Sequence, residues 1–453
     1  MNLESKIKLL PKDILSVIKK AGSLADSMDV HAYLVGGFVR DMLLRRPNLD
    51  LDIVIEARHR EVEQARHREV GQAHHSEGVQ MDGILFAEKL AEVLGARLIK
   101  HKRFGTAVLT LPNHKKIDIA TARKETYARP GALPVVSGGS IYDDLLRRDF
   151  SINAMAVTIS KHNFGKLSDY FSGIADLKRK RIRVLHSLSF ADDPTRMLRA
   201  IRFGERYGFS LERKTLQLFK AARKEDALNK VTKHRLRDEL ILMLKEDRPL
   251  KVISSIRKLY GFSFIDTGIR LSGVKLDFLR KLNKAVMIFR KHHPKKRVLD
   301  SWLIFLIGLL DGLDLEAVKK ICADFAFARG DTKRIVSYFD SHSEVIKRLS
   351  EKNIRPSSVY HLLEPLSFEV IVLIMAKQNK SDIIKKINEY LFVHNGIRLA
   401  VDGSDLKELG FVPGPHFKEM LVKALYAKID KVVKDKNEEI KFIKEHGSRH
   451  IKT

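Results

Sequence analysis

Residues 33–56 read YLVGGFVRDMLLRRPNLDLDIVIE, and no other stretch of the 453-residue chain restricts the fold as tightly. An apolar strand runs into Gly36 and Gly37, a helix is expected to begin near Phe38, and a second β-rich run returns carrying Asp50 and Asp52. Residues two apart in a strand share a face, so Asp50 and Asp52 project together while Leu51 turns away. Leu51, Ile53, Val54 and Ile55 favour an extended, largely buried run. Two adjacent carboxylates drawn partly out of water repel, and something must offset that. Exposure at the strand end is one solution. A divalent cation is the other, because Mg²⁺ is held by one or two carboxylates together with substrate phosphates. The upstream glycines read either as a plain tight turn or as a phosphate cradle, where backbone N–H groups and the helix N-terminus meet an anion. Arg40, in the first helical turn, is expected to reach that same anion. A phosphate grip and a carboxylate pair within one strand–turn–helix–strand unit form a narrower signature than either part.

The rest of the chain divides by periodicity. Residues 5–27 read as one amphipathic helix. From about 31 to 160, short β-rich runs (AYLV, DLDIVI, RLIK, TAVLTL, KIDIA, NAMAVTI) are interrupted by ILFAEKLAEVLG, whose apolar spacing is helical. From about 187 to 390 the chain is rich in Leu, Lys and Arg at helical spacing, broken at EDRPL, KHHPKKR and NIRPSS. The final segment ends in FKEMLVKALYAKIDKVVKDKNEEIKFIKEH, read as one Lys-rich helix. The expected fold class is α+β: a mixed-sheet head over 1–160, a helical neck over 161–250, a helical body over 251–390 and a tail over 391–453. RHREVEQA at 58–65 is repeated at once as RHREVGQA at 66–73. Its histidines suggest a metal, but a duplicated, solvated basic insertion accounts for it as well.

Bulk composition sets the partner class. The net charge of +28 calls for a polyanion, nucleic acid or an anionic membrane surface. No apolar run approaches the roughly 20 residues of a membrane span, and WLIFLIGLL at 302–310 reads as a buried helix. The first residues lack the apolar core of an export signal, and the single cysteine, Cys322, excludes an intramolecular disulfide and cysteine-rich zinc sites. A cytoplasmic setting is expected.

Taken together, GGFVRD (Gly36, Gly37, Val39, Arg40, Asp41) with its Asp50–Asp52 strand, RRDFSINAMA at 147–156 and DDPTRMLRAIRF at 192–203 resemble a known family. They are similar to the polymerase β-like nucleotidyltransferases, specifically the class II tRNA nucleotidyltransferases (CCA-adding enzymes) and bacterial poly(A) polymerases. KIDIATARKETYARPGALPVV at 116–136 resembles the segment joining the first two motifs, and DLKELGFVPGP resembles the tail more loosely. The chain departs from that pattern in the 58–80 insertion and at Lys418, where relatives often have glycine.

The resemblance implies addition of C and A from CTP and ATP to the 3′ end of tRNA, with Asp50 and Asp52 as catalytic Mg²⁺ ligands. Gly36, Gly37, Arg40 and Arg148 would hold the triphosphate, Arg147 being the lesser choice. Asn153 and Asp149 would order the site or meet the ribose. Asp193 would accept from a base's exocyclic amine and Arg196 would donate to its ring acceptor. Arg199 and Arg202 would assist by phosphate or stacking contacts, and Asp118 is either a third carboxylate or structural. On the residues alone, Asp193, Arg196, Arg199 and Arg202 recur every three positions and equally describe a salt-bridged surface helix. The basic helical regions would grip the acceptor stem and T arm by shape rather than sequence. An A-adding or CC-adding specialist, a poly(A) polymerase and a catalytically dead RNA-binding protein are the alternatives.

Overall fold

The computed structural model describes residues 1–47, 50–57, 77–101, 105–126, 131, 134–292 and 298–447. The tandem repeat at 58–73 lies outside them. The chain parts into two compact units, Met1–Glu239 and Leu240–Thr453.

The first unit is built on a seven-stranded mixed sheet. Its strands are β1 (Val30–Val35), β2 (Leu51–Ala57), β3 (Arg97–His101), β4 (Thr106–Thr110), β5 (Lys116–Thr121), β8 (Ala156–Thr158) and β9 (Leu167–Ser168), in the order β3-β4-β5-β2-β1-β8-β9. A separate hairpin pairs β6 (Arg123–Thr126) with β7 (Val135–Gly138). Only β2 and β5 run parallel within the large sheet, and their register sets Asp52 beside Asp118. The parallel step requires a crossover, and α4 (Glu77–Leu94) supplies it. Val54 shares the Asp52 face and joins a core with Tyr33, Val35, Ile141 and Leu145. Leu51, Ile53 and Ile55 alternate to the opposite face and are fully buried.

The N-terminal helix expected over 5–27 is two helices, α1 (Glu4–Lys8) and α2 (Lys12–Ser27), parted at Pro11. Proline has no N–H to donate and is tolerated only at a helix start. Helix α3 (Gly36–Leu43) opens at Gly36 rather than Phe38. The expected strand NAMAVTI is shorter, because Ser151–Asn153 forms a 3₁₀ turn ahead of β8. Beyond the sheet come α5 (Ile141–Leu146), α6 (Gly173–Lys178), α7 (Ser189–Asp192), α8 (Thr195–Tyr207), α9 (Arg213–Lys224) and α10 (Lys233–Leu244). Two short strands, β10 (Arg181–Ile182) and β11 (Ser210–Leu211), pair in parallel on either side of α7 and α8.

The second unit is helical: α11 (Pro249–Leu259), α12 (Gly273–His292), α13 (Ser301–Leu310), α14 (Leu315–Asp324), α15 (Arg329–Leu349), α16 (Pro356–Leu363), α17 (Phe368–Lys377), α18 (Ser381–Phe392), α19 (Gly403–Glu408), α20 (Pro415–Ile429) and α21 (Lys436–Gly447). Pro249 and Pro356 start α11 and α16, as a proline at the first helical position should. Helix α13 is buried from Trp302 to Leu310, which is why it reads as apolar all round. Among the described residues no single helix is long and apolar enough to cross a membrane. The C-terminal helix is two rather than one. Lys431, at φ +61°, turns the backbone left-handed, and the Val432 N–H closes onto the Ala427 carbonyl. Asp430 is meanwhile spent on Ser357, accepting from its N–H at 2.8 Å and its Oγ at 2.6 Å.

Candidate active site

One cavity of about 810 Å³ in the first unit is lined by Gly36, Gly37, Asp50, Asp52, Asp118, Arg148, Asp193 and Arg196, among others. The sheet brings the carboxylates in. Asp52 on β2 and Asp118 on β5 are register partners on adjacent parallel strands, and Asp50 lies two residues before Asp52. Burial pushes the Asp52 carboxyl up to about 6; Arg148 opposes this, while Asp118 and Asp50 add to it. Asp118 is raised too, by burial first and then by Asp50, against Lys116. Burial is the larger cause for both carboxyls, and their mutual repulsion adds to it. Hard carboxylate oxygens of this kind suit Mg²⁺ or a similar divalent ion. Among the described residues no three His, Cys, Asp or Glu side chains chelate an ion unaided.

The glycine turn faces these carboxylates. Gly36 has φ +65°, and a Cβ there would lie 2.7 Å from Arg148 Nη1 and 3.5 Å from Asp52 Oδ2. The left-handed backbone favours glycine, and a Cβ there would displace the Arg148 guanidinium. Arg148 is aimed from behind by Asp144, which is fully buried on α5. Asp144 Oδ2 accepts from Arg148 Nε and Nη2 at 3.2 and 2.8 Å, and Oδ1 accepts from Arg147 Nε and Nη2 at 3.0 and 2.6 Å. Burial would raise Asp144, but Arg148 and Arg147 outweigh it and hold the carboxyl below its usual range. Of the two arginines, Arg148 faces the Gly36 turn, while Arg147 also donates to Glu125 on β6 at 3.1 Å.

The third wall is α8. Asp193 precedes it, and its Oδ1 accepts from the Thr195 N–H at 3.0 Å and from Thr195 Oγ1 at 2.6 Å. Arg196 is buried, donating Nη1 to Ser189 Oγ at 2.8 Å and Nη2 to the Arg147 carbonyl at 2.6 Å. Arg199 grips Asp149 Oδ2 through Nε and Nη2 at 2.9 and 2.6 Å. Arg202 is buried on Glu239 at 2.5 Å. Asn153 donates to Asp149 Oδ1 at 2.8 Å and accepts from Arg40 Nη1 at 2.5 Å. A continuous polar chain thus runs from α3 through the 3₁₀ turn to α8 and α10.

All the residues expected in the site line this one cavity. Their engagement differs from expectation at three of them. The remaining donors of Arg40 grip Asp41, at 2.8 Å through Nε and Nη2, and its guanidinium carbon lies 4.6 Å from the centre of the Tyr207 ring. It braces α3 while lining the cavity. Arg199 and Arg202 are likewise held by Asp149 and Glu239, Arg202 buried and Arg199 half-buried, so the stripe packs against partners instead of forming a solvated face. Sequence reasoning passed over Asp144, Glu125, Arg235 and Glu239. Asp144 precedes Arg147 and Arg148 by three and four residues, the spacing of helical ion pairs, and was findable on that ground. Glu125 and Glu239 act across 22 and 37 residues and leave no local signal.

A profile of the poly A polymerase head domain matches residues 32–98 and 79–183. An A-adding tRNA nucleotidyltransferase of Geobacter sulfurreducens is 34% identical over 437 residues, which span 95% of this chain but about half of that protein (47%). One of Halalkalibacterium halodurans is 31% identical over 446 residues, covering 96% of this chain and 93% of that one. The solved structure of the Thermotoga maritima CCA-adding enzyme complexed with tRNA superposes with a TM-score of 0.70 at 31% identity, covering 98% of both chains. Motifs, sheet and near full-length similarity agree, and the chain belongs to the tRNA nucleotidyltransferase family.

Proposed function

We propose that this chain adds C and A residues from CTP and ATP to the 3′ end of tRNA, releasing pyrophosphate. The observation that carries the reading is the single cavity joining three carboxylates, the Gly36–Gly37 turn with Arg148, and the Asp193–Arg196 pair. Asp50 and Asp52 would hold Mg²⁺, with Asp118 as a third carboxylate beside them. When bound, the metal lowers the pKa of the primer hydroxyl and neutralises the departing pyrophosphate. The chain's own part is positioning. Backbone N–H groups at Gly36 and Gly37 and the guanidinium of Arg148 hold the triphosphate. The tRNA 3′-hydroxyl oxygen then attacks the α-phosphorus, and the bond to pyrophosphate breaks.

Base choice falls to Asp193 and Arg196. Oδ1 of Asp193 is occupied, and among the described residues none donates to Oδ2, which is left to accept from an exocyclic amine. Arg196 supplies a donor to the adjacent ring nitrogen. Cytosine and adenine both present an amine beside a ring acceptor; uracil and guanine present a carbonyl, which the carboxylate repels. Arg40, Arg199 and Arg202 keep α3 and α8 in register. The basic neck, body and tail, with boundaries near 160, 250 and 390, would hold the acceptor stem and T arm.

A narrower reading, addition of the terminal A alone, is favoured by the A-adding names of the Geobacter and Halalkalibacterium relatives. Incubation with labelled CTP or ATP, Mg²⁺ and tRNAs ending before CCA, after C and after CC, followed by sequencing of the products, separates the two. Full CCA on the shortest tRNA is the expected result. Extension only of the CC-ended tRNA establishes the narrower activity, and no extension of any overturns both.

A further inference from the structure

We propose that Arg235 is a positioning residue for base selection, holding the plane of the Asp193 carboxylate and tying it to Gly131. The proposal rests on the base-reading role of Asp193 given above. Arg235 belongs to none of the motifs around the cavity and lies on α10, 42 residues from Asp193. Its Nη2 donates to Asp193 Oδ1 at 2.9 Å, and its Nη1 donates to the Gly131 carbonyl at 3.3 Å.

Three donors therefore converge on Oδ1: two from Thr195 and one charged donor from Arg235. Thr195 sits only two residues from Asp193 and fixes the start of α8 locally, as a short side-chain turn does. The backbone of Asp193 is tied only to its neighbours in sequence, its N–H donating to the Ser189 carbonyl and its own carbonyl accepting from the Arg196 N–H. Arg235 adds the anchor from a different element, and a charged donor is the stronger one. With Oδ1 held from two directions, the direction of Oδ2 is fixed, which is what a reader of one exocyclic amine requires.

Helix α10 is suited to be that anchor. Arg235 and Glu239 are four residues apart and share a face. Glu239 holds Arg202 at 2.5 Å and Arg199 at 3.6 Å, so one helix face sets both the carboxylate before α8 and the arginines along it. Gly131 is fixed as well. Its N–H donates to the Ala191 carbonyl at 3.2 Å, its φ is +72°, and a Cβ would lie 2.9 Å from the Lys230 carbonyl oxygen. Gly131 is thus wedged between the residues before Asp193 and those before Arg235, with Arg235 closing the contact.

The test is single-turnover incorporation of all four nucleotides by the full-length protein with Arg235→Met, Arg235→Lys and Asp193→Ala, with thermal unfolding of each. Arg235→Met is expected to slow C and A incorporation by about tenfold and to narrow discrimination against U and G by a similar factor, as loss of a charged donor should. Arg235→Lys, keeping charge and reach, should recover part of the selectivity. An ion pair serving stability alone lowers the unfolding midpoint and leaves selectivity unmoved. Should Arg235→Met and Arg235→Lys both keep the parent selectivity while Asp193→Ala loses it, the positioning role is overturned. If Asp193→Ala also keeps it, the base-reading role itself falls and this proposal with it.

Discussion

Asp52 is held in a state that costs the folded chain stability. Burial, Asp118 and Asp50 together outweigh Arg148, and its carboxyl is pushed up to about 6 against an ordinary 3.8. A group whose folded pKa is raised gives stability in full below its unfolded pKa and loses it as pH rises through the folded value. In chelator, Asp52→Asn should therefore stabilise the protein at pH 7 by up to roughly 2–3 kcal/mol and change little at pH 4. The same variant should lose incorporation by at least about a hundredfold, as removal of a metal-ligand carboxylate does, while tRNA binding is kept. Thermal unfolding in EDTA at the two pH values, beside a filter-binding assay, reads all three. An unfolding midpoint lowered at pH 7 would show that the carboxylates are structural. Gly36 makes a complementary case, because alanine there brings a Cβ to 2.7 Å from Arg148 Nη1 at a left-handed φ. Gly36→Ala should raise the nucleotide KM, with a backbone cost of about 1 kcal/mol; an unchanged KM would remove the turn from the triphosphate site.

At the scale of elements, the site is held by buried ion pairs linking α3, α5, the 3₁₀ turn, α8 and α10. Burial would raise Asp149, but Arg199, Asn153 and Arg196 more than compensate, and its carboxyl is held below the usual range. Asp144 is lowered in the same way by Arg148 and Arg147. For a lowered carboxylate the sign reverses: stability is complete above the unfolded pKa near 4 and is lost as pH falls toward the folded value. Unfolding midpoints should thus drop steeply below pH 4, and Asp149→Asn should flatten that slope while lowering stability at pH 7. An unaltered slope would mean that Asp149 does not carry the linkage. These elements also mark how far the sequence could be read. The strand–turn–helix–strand unit was legible because its signals are local: alternation, a Gly pair, a DxD. The parallel neighbour that brings Asp118 to Asp52 was half visible, since KIDIA reads as a strand but its register does not. The partners of Arg40, Asp41 and Asn153, are not legible in the same way, because Asn153 meets it only once the 3₁₀ turn folds under α3. Helix ends at Pro11 and Lys431 were missed for a similar reason. Apolar periodicity continued across both, and the breaks depend on a proline and a left-handed residue that periodicity does not register.

For the whole molecule, the net charge of +28 lies almost entirely outside the cavity, where eight arginines meet seven carboxylates. The surplus implies binding dominated by phosphate contacts and counterion release. Affinity for tRNA should fall by about two to three decades between 50 and 200 mM salt, and should differ little among tRNAs of different sequence but common shape. Weak salt dependence in a binding titration would contradict a phosphate grip.

The most direct measurement is single-turnover incorporation of CTP, ATP, UTP and GTP onto CC-ended and shorter tRNAs by Asp193→Ala, beside its thermal unfolding. Removing the carboxylate that separates an amine from a carbonyl should slow correct C and A addition by about one to two decades. It should relax discrimination against U and G, because the repulsive element is gone, while the unfolding midpoint falls modestly with loss of the Thr195 and Arg235 contacts. Selectivity equal to that of the parent, whatever the midpoint, would leave Asp193 a helix-start residue alone and contradict base choice by this side chain.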